Sequence, residues 1–182
     1  MLQDLLIPMI VIGIAELGDK TQIAIFLLST KTKKHLKLLS GVILAFFLVD
    51  GIAVAAGDYV TRVLPFSYIK LFSGFIFILF GVITLLDFRK EEEQHNLKNP
   101  FYSGFTIIFV SELGDKTQIA SGLFATKYNV LLVLIGVMIA LSILSVMALY
   151  LGKFISRKVN EKILSKIRGV IFILMGVLFL MG

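Results

Sequence analysis

Glu16-Leu17-Gly18-Asp19-Lys20-Thr21-Gln22-Ile23-Ala24 returns without change as Glu112-Leu113-Gly114-Asp115-Lys116-Thr117-Gln118-Ile119-Ala120, 96 residues further on. Shared hydrophobicity does not explain nine unbroken identities that include Glu, Asp, Lys and Gln, so the chain contains a duplication. The likeness spreads outward from the motif. Thr30-Lys31 matches Thr126-Lys127 at the same offset. Gly41 and Gly57 match Gly136 and Gly152, and residues 74–82 match 169–177, at an offset of 95.

Around these motifs the sequence is strongly apolar. Of 182 residues, 58% are hydrophobic and 16% charged, with a mean hydropathy of +0.96. A soluble domain averages ~45–50% apolar and ~25% charged, which excludes an ordinary water-soluble enzyme. A membrane-crossing helix needs ~20 predominantly apolar residues. Six such segments can be read, at 5–28, 38–57, 69–86, 101–126, 130–152 and 163–181. The fold expected is an all-α membrane protein of six transmembrane helices. The first segment is not a signal peptide, because it lacks a basic leader and carries Glu, Asp and Lys in its apolar part. The sixth spans only if Lys166 and Arg168 snorkel.

Each repeat holds three segments, an odd number, so the second copy enters the membrane from the opposite side. That makes an inverted 3+3 repeat, a transporter plan with its site near the midplane. Residues 1–88 form the first unit, 89–100 a cytoplasmic linker and 101–182 the second unit. The basic residues divide unevenly. Thirteen Lys and Arg lie in the connections after segments one, three and five, and three (Arg62, Lys70 and Lys127) lie on the other side. By the positive-inside bias the first group is cytoplasmic and both termini are outside. Tyr59, Tyr68, Tyr102, Tyr128 and Tyr150 fall near segment ends, as an interfacial belt requires in a chain without Trp.

The motifs place Glu16, Asp19, Glu112, Asp115, Lys20 and Lys116 within apolar segments. Each charge costs about 2.5–3.5 kcal/mol on insertion scales. On an uninterrupted helix Glu16 and Asp19 share a face, and Glu16–Lys20 and Glu112–Lys116 are spaced for ion pairs. Mutual neutralisation alone is a poor reason to bury them, because Leu packs more cheaply. The functional reading is a cation site formed where the two motifs meet. Glu16, Asp19, Glu112 and Asp115 offer carboxylate oxygens, and Thr21, Gln22, Thr117 and Gln118 neutral ones. Gly18 and Gly114 let the helix loosen and free backbone carbonyls. With no Cys, and with His35 and His95 both outside the segments, the donors are all hard oxygens. They suit Ca²⁺, Mn²⁺ or Mg²⁺ rather than Zn²⁺ or Cu⁺. Four carboxylates and two ammonium groups leave a net charge of −2, which one divalent cation or two protons neutralise.

The paired E-x-G-D-[K/R]-[S/T] motifs, Glu16 to Thr21 and Glu112 to Thr117, each in the first helix of a three-helix unit, resemble those of a small Ca²⁺/Mn²⁺–proton antiporter family. That family has Golgi and bacterial members and lies within the lysine-exporter superfamily. The resemblance covers nearly the whole chain. It implies exchange of a divalent cation, Mn²⁺ or Ca²⁺, for H⁺, with the motif carboxylates as ligands, the metal as substrate and no cofactor. The absence of the longer N-terminal segment of secretory-pathway members points to a prokaryotic plasma-membrane protein that exports the metal. The alternative is an exporter of a small organic cation or amino acid, as elsewhere in the superfamily. An intramembrane enzyme is excluded, because no segment carries a nucleophile–base pair or a metal-hydrolase His pattern.

The remaining polar positions take smaller roles. Asp50 lies within the second segment while its repeat counterpart is Ser145, which makes it a candidate for proton coupling or access, with Lys20 and Lys116. A hydrogen-bonded structural role is its alternative. Asp58 and Asp87 lie at segment ends. The acidic run Glu91–Glu93 reads as solvated linker. The glycines at i and i+7 in segments three and six form a packing seam. The Lys31–Lys37 loop suits anionic lipid headgroups. Nucleic acid is not an expected partner, and an oligomer is compatible with the sequence.

Overall fold

The computed structural model describes residues 1–86, 99–158 and 161–181, without the side chains of 66, 152–165 and 168. The linker up to residue 98, with Asp87 and Glu91–Glu93, lies outside the described residues, as do the side chains of the basic 153–162 stretch. All described elements are helical: α1 Leu2–Glu16, α2 Lys20–Thr30, α3 His35–Val63, α4 Phe66–Leu86, α5 Pro100–Glu112, α6 Lys116–Ala125, α7 Val130–Lys158 and α8 Glu161–Met181.

The segments at 5–28 and 101–126 are not single helices. Each breaks at its motif, into α1 and α2 and into α5 and α6. Among the described residues, three helices are individually long and apolar enough to cross a membrane, at His35–Val63, Ser67–Leu86 and Val130–Leu151. The helices of the two split runs, α1, α2, α5 and α6, are each shorter than that, as is the apolar part of α8, Gly169–Met181. Pro100 opens α5 behind Asn99, whose side chain accepts from Phe101 N at 3.1 Å. Pro8 lies inside α1, so the Asp4 carbonyl loses its helical N–H partner there.

Packing crosses between the halves. α3 lies along α5 and α6, and α7 lies along α1 and α2. Glycines let the backbones touch. A Cβ on Gly41 would strike the Phe101 carbonyl of α5, and one on Gly136 would meet the Leu5 carbonyl of α1 at 2.5 Å. These are equivalent contacts in the two repeats. α4 and α8 form the third pair. Gly74 faces the Gly176 carbonyl, and Gly81 faces that of Gly169, where a Cβ would approach to 3.0 and 2.7 Å. The pair is therefore antiparallel, and the i, i+7 glycines are its seam. Phe77 of α4 joins this pair to the motif helices, with its ring 5.2 Å from both Phe124 of α6 and Phe179 of α8. Tyr59, Tyr68, Tyr102 and Tyr150 are exposed.

Candidate functional site: two broken helices

The two breaks share one backbone design. α1 ends on extended Leu17, and Gly18 turns left-handed at φ 74. Extended Asp19 then caps α2. Leu113, Gly114 at φ 79 and Asp115 repeat the sequence between α5 and α6. An L-residue in that glycine conformation costs about 1–2 kcal/mol. The Gln repeated in both motifs closes each break. Gly18 N donates to Gln22 Oε1 at 2.9 Å, and Gly114 N donates to Gln118 Oε1 at 2.6 Å. Asp19 N and Asp115 N donate back to the Glu16 and Glu112 carbonyls, both at 3.1 Å. Gln22 and Gln118 thus hold the turns with the oxygens read from sequence as cation donors.

Breaking the helices changes which charges meet. Asp19 does not share a helical face with Glu16; it starts the next helix, and its side chain accepts from Lys20 N at 2.8 Å. The Glu16–Lys20 and Glu112–Lys116 pairs are not among the described ion pairs, because no continuous helix runs between their members. Lys116 reaches instead into the other half, with Nζ 3.7 Å from Asp19 Oδ2, while Lys20 is exposed. One carboxylate oxygen each from Glu16, Asp19 and Asp115 lie within 4.8 Å of one another. Glu112 is buried, 4% exposed, but stands outside that group.

Inside the group, Glu16 is 2% exposed. Its Oε2 accepts from Thr21 Oγ1 at 3.4 Å, and its Oε1 is buried with no hydrogen-bond partner among the described residues. An unpaired buried carboxylate oxygen is costly, and a cation relieves that cost. Thr117 takes a different role from Thr21, since its hydroxyl donates to Asp115 Oδ2 at 3.1 Å. Gln22 Nε2 donates to the Glu16 carbonyl at 2.5 Å, whereas Gln118 Nε2 reaches the Val49 carbonyl of α3 at 3.3 Å. Each break brings together the negative dipole end of one helix, α1 or α5, and the positive end of the next, α2 or α6, where Asp19 and Asp115 stand as caps.

Asp50 is buried outside the motif group, against Ser121 of α6. Ser121 lies outside the motif residues expected at the site. Its signal was the first departure from identity after the repeated motif, where the other half has Ile25. Asp58 pairs with Arg62 at 2.7 Å on an exposed part of α3, as an interfacial residue would.

The chain matches the family described as "Divalent cation/proton antiporter GDT1" over residues 4–92 and again over 100–182, once in each half. The chain belongs to the GDT1 family. GDT1 proteins are transporters of cations and protons, not enzymes. Among similar proteins is the "Putative manganese exporter" of Vibrio cholerae, 28% identical over 175 residues, 94% of this chain and 88% of that protein. A GDT1-like protein of Synechocystis is 29% identical, over 93% of this chain and 92% of its own length. A GDT1-like protein of Schizosaccharomyces pombe is 26% identical, over 91% and 84%. No solved structure matches the chain. The alternative of an organic-cation exporter finds no support among these GDT1 relatives.

Proposed function

We propose that this GDT1 protein exchanges Mn²⁺ or Ca²⁺ for protons and exports the metal from the cytoplasm, with Glu16, Asp19 and Asp115 holding the cation in the conformation described. The observation that carries the reading is the meeting of three carboxylates from two broken helices beside a buried, unpaired Glu16 oxygen. With Lys116 the group has a net charge of −2. One divalent cation or two protons make it neutral, so the site crosses the membrane readily when filled with either and poorly when empty. Glu112 joins the ligand set when the site faces the other way.

The surrounding reading is a six-span inverted 3+3 repeat in a plasma membrane. The spans are α1 with α2, α3, α4, α5 with α6, α7 and α8, and residues 89–100 link the units 1–88 and 101–182. The antiparallel packing of the repeat counterparts α4 and α8 supports it, as do the equivalent Gly41 and Gly136 contacts. The basic connections face the cytoplasm and its anionic lipid, and the termini face outward. Manganese and the export direction rest on the Vibrio cholerae relative's name and on the hard-oxygen chemistry.

The test is flux in proteoliposomes that hold a pH gradient. Added Mn²⁺ or Ca²⁺ should collapse the gradient as metal crosses. Metal entry that leaves the gradient untouched, or no entry of either metal, contradicts the reading. For orientation, Lys33→Cys should react with an impermeant thiol reagent only in opened cells, and Ser67→Cys in intact ones. The reverse pattern overturns the placement of the basic loops.

A further inference from the structure

Asp50 lies midway along α3 and is 3% exposed. Its Oδ1 is 2.7 Å from Ser121 Oγ. The same Ser121 oxygen is 2.9 Å from the Thr117 carbonyl one turn earlier in α6. A hydroxyl has one proton, and a carbonyl only accepts. When Ser121 donates to Thr117 O, the short contact to Asp50 needs a proton from the carboxyl group. Each contact has its own proton when Asp50 is a neutral acid that donates to Ser121 Oγ.

The charges around Asp50 point the same way. No cation pairs with it among the described residues. The charged groups that act on it are Asp115 at the start of α6 and Glu112 at the end of α5, both acidic. The other ionisable groups on neighbouring helices include Lys20 of α2, Lys70 of α4, Lys116 of α6 and Tyr150 of α7. None of these makes an ion pair or hydrogen bond with it. A lone buried carboxylate facing two others is very unfavourable, whereas the acid is neutral and hydrogen-bonded. The pairing joins α3 of the first half to α6 of the second and is not repeated at the equivalent positions. The counterpart Ser145 bonds the Leu141 carbonyl of its own helix at 2.7 Å, and Ile25 stands where Ser121 does in the other repeat.

We infer that Asp50, held against Ser121, is a proton-binding site for the exchange, separate from the carboxylates that take the metal. Resting on the cation site proposed above, the inference adds a coupling step. While Glu16, Asp19 and Asp115 are without metal, Asp50 keeps its proton. A divalent cation among them replaces the negative field from Asp115 with a positive one. The Asp50 O–H bond then breaks, its electron pair stays on the carboxylate, and the proton passes to water. Metal release reverses the step, so one exchanged proton is tied to the contact between α3 and α6, which has no repeated counterpart.

The test uses the full-length purified protein in detergent, with Asp50→Asn and Ser121→Ala. Infrared difference spectra of the metal-free protein should show a protonated-carboxyl C=O stretch that Asp50→Asn removes and Ser121→Ala shifts. This arm needs no metal, so it stands apart from the cation-site reading, which fails by itself if the wild type binds neither Mn²⁺ nor Ca²⁺. In weakly buffered Mn²⁺ titrations Asp50→Asn should still bind metal and release about one proton fewer per ion than the wild type. Three results overturn the inference: no carboxyl band lost in Asp50→Asn, equal proton release by the two proteins, or loss of Mn²⁺ binding in Asp50→Asn, which would make Asp50 part of the metal site. If Asp50→Asn does not fold, an unshifted carboxyl band in Ser121→Ala overturns it as well.

Discussion

The two copies of the motif are identical in sequence and closely alike in backbone angles, yet their side chains serve different partners. In the first, Thr21 donates to Glu16, and Gln22 Nε2 folds back onto the Glu16 carbonyl. In the second, Thr117 donates to Asp115, and Gln118 Nε2 reaches across to α3. Glu16 joins the carboxylate group while Glu112 does not. The glycine contacts that carry the scaffold, Gly41 on Phe101 and Gly136 on Leu5, stay equivalent. Symmetry is kept where backbones pack and lost where charge is handled. An alternating-access carrier needs that division, because a rigid repeat frame can hold a site in two unequal arrangements.

The largest expected effects fall on the carboxylates. Glu16→Ala, Asp19→Ala, Glu112→Ala and Asp115→Ala should each reduce metal flux in proteoliposomes to the protein-free background, with folded protein in the bilayer. Wild-type flux in any of them removes that residue from the site. Binding should separate the two glutamates where flux does not. Glu16→Gln should weaken Mn²⁺ binding more than about tenfold, since even outer-shell partners of a metal are worth 10–100-fold. Glu112→Gln should weaken it less. Equal losses would mean that the asymmetry between the halves has no part in binding.

Next come the frame glycines. Gly41→Ala and Gly136→Ala press a methyl onto a neighbouring backbone, and each should cost about 1–3 kcal/mol, the usual range for overpacking. Thermal unfolding in detergent should show similar losses for the two. Gly51→Ala is the control on α3, because a Cβ there meets nothing within 4 Å. A large loss for Gly41→Ala beside none for Gly136→Ala would break the claim of an equivalent frame. Smaller and again symmetric, Gly18→Ala and Gly114→Ala should each cost about 1–2 kcal/mol for the left-handed backbone. At Gly114 the penalty is conformational alone, since a Cβ there also meets nothing within 4 Å. Unchanged melting of Gly114→Ala would show that the break relaxes.

Much of this frame was legible in the residues. The repeat, the apolar segments and the glycine seam of α4 and α8 all follow from period and spacing. The carboxylates stood out because charge in an apolar run is costly. The position of the helix breaks was harder to read. The run at 5–28 has no proline at the motif, and only Gly18, with Gln22 four residues on, hints that a side-chain amide replaces a helical bond. The difference between Glu16 and Glu112 could not be read from the motifs themselves, because identical nonamers carry no asymmetry. It goes with what surrounds them, the Asp50–Ser121 contact between α3 and α6, for which the repeat counterparts are Ser145 and Ile25. Those departures are visible in the repeat alignment, but their meaning depends on α3 lying against α6.

The central claim is that metal and protons compete for the carboxylates gathered at the two breaks. Mn²⁺ affinity of the purified wild-type protein, measured between about pH 5.5 and 8.5 with released protons counted in weak buffer, tests it most directly. Protonation removes ligand charge, so affinity should be highest at the alkaline end and fall as pH drops. The two protons that compete at these carboxylates steepen that fall to as much as ~100-fold per pH unit and leave with about two H⁺ per ion bound, and the Asp50 proton adds about one more. An affinity that stays constant across the range, with no protons released, would contradict the shared site even in a protein that transports metal.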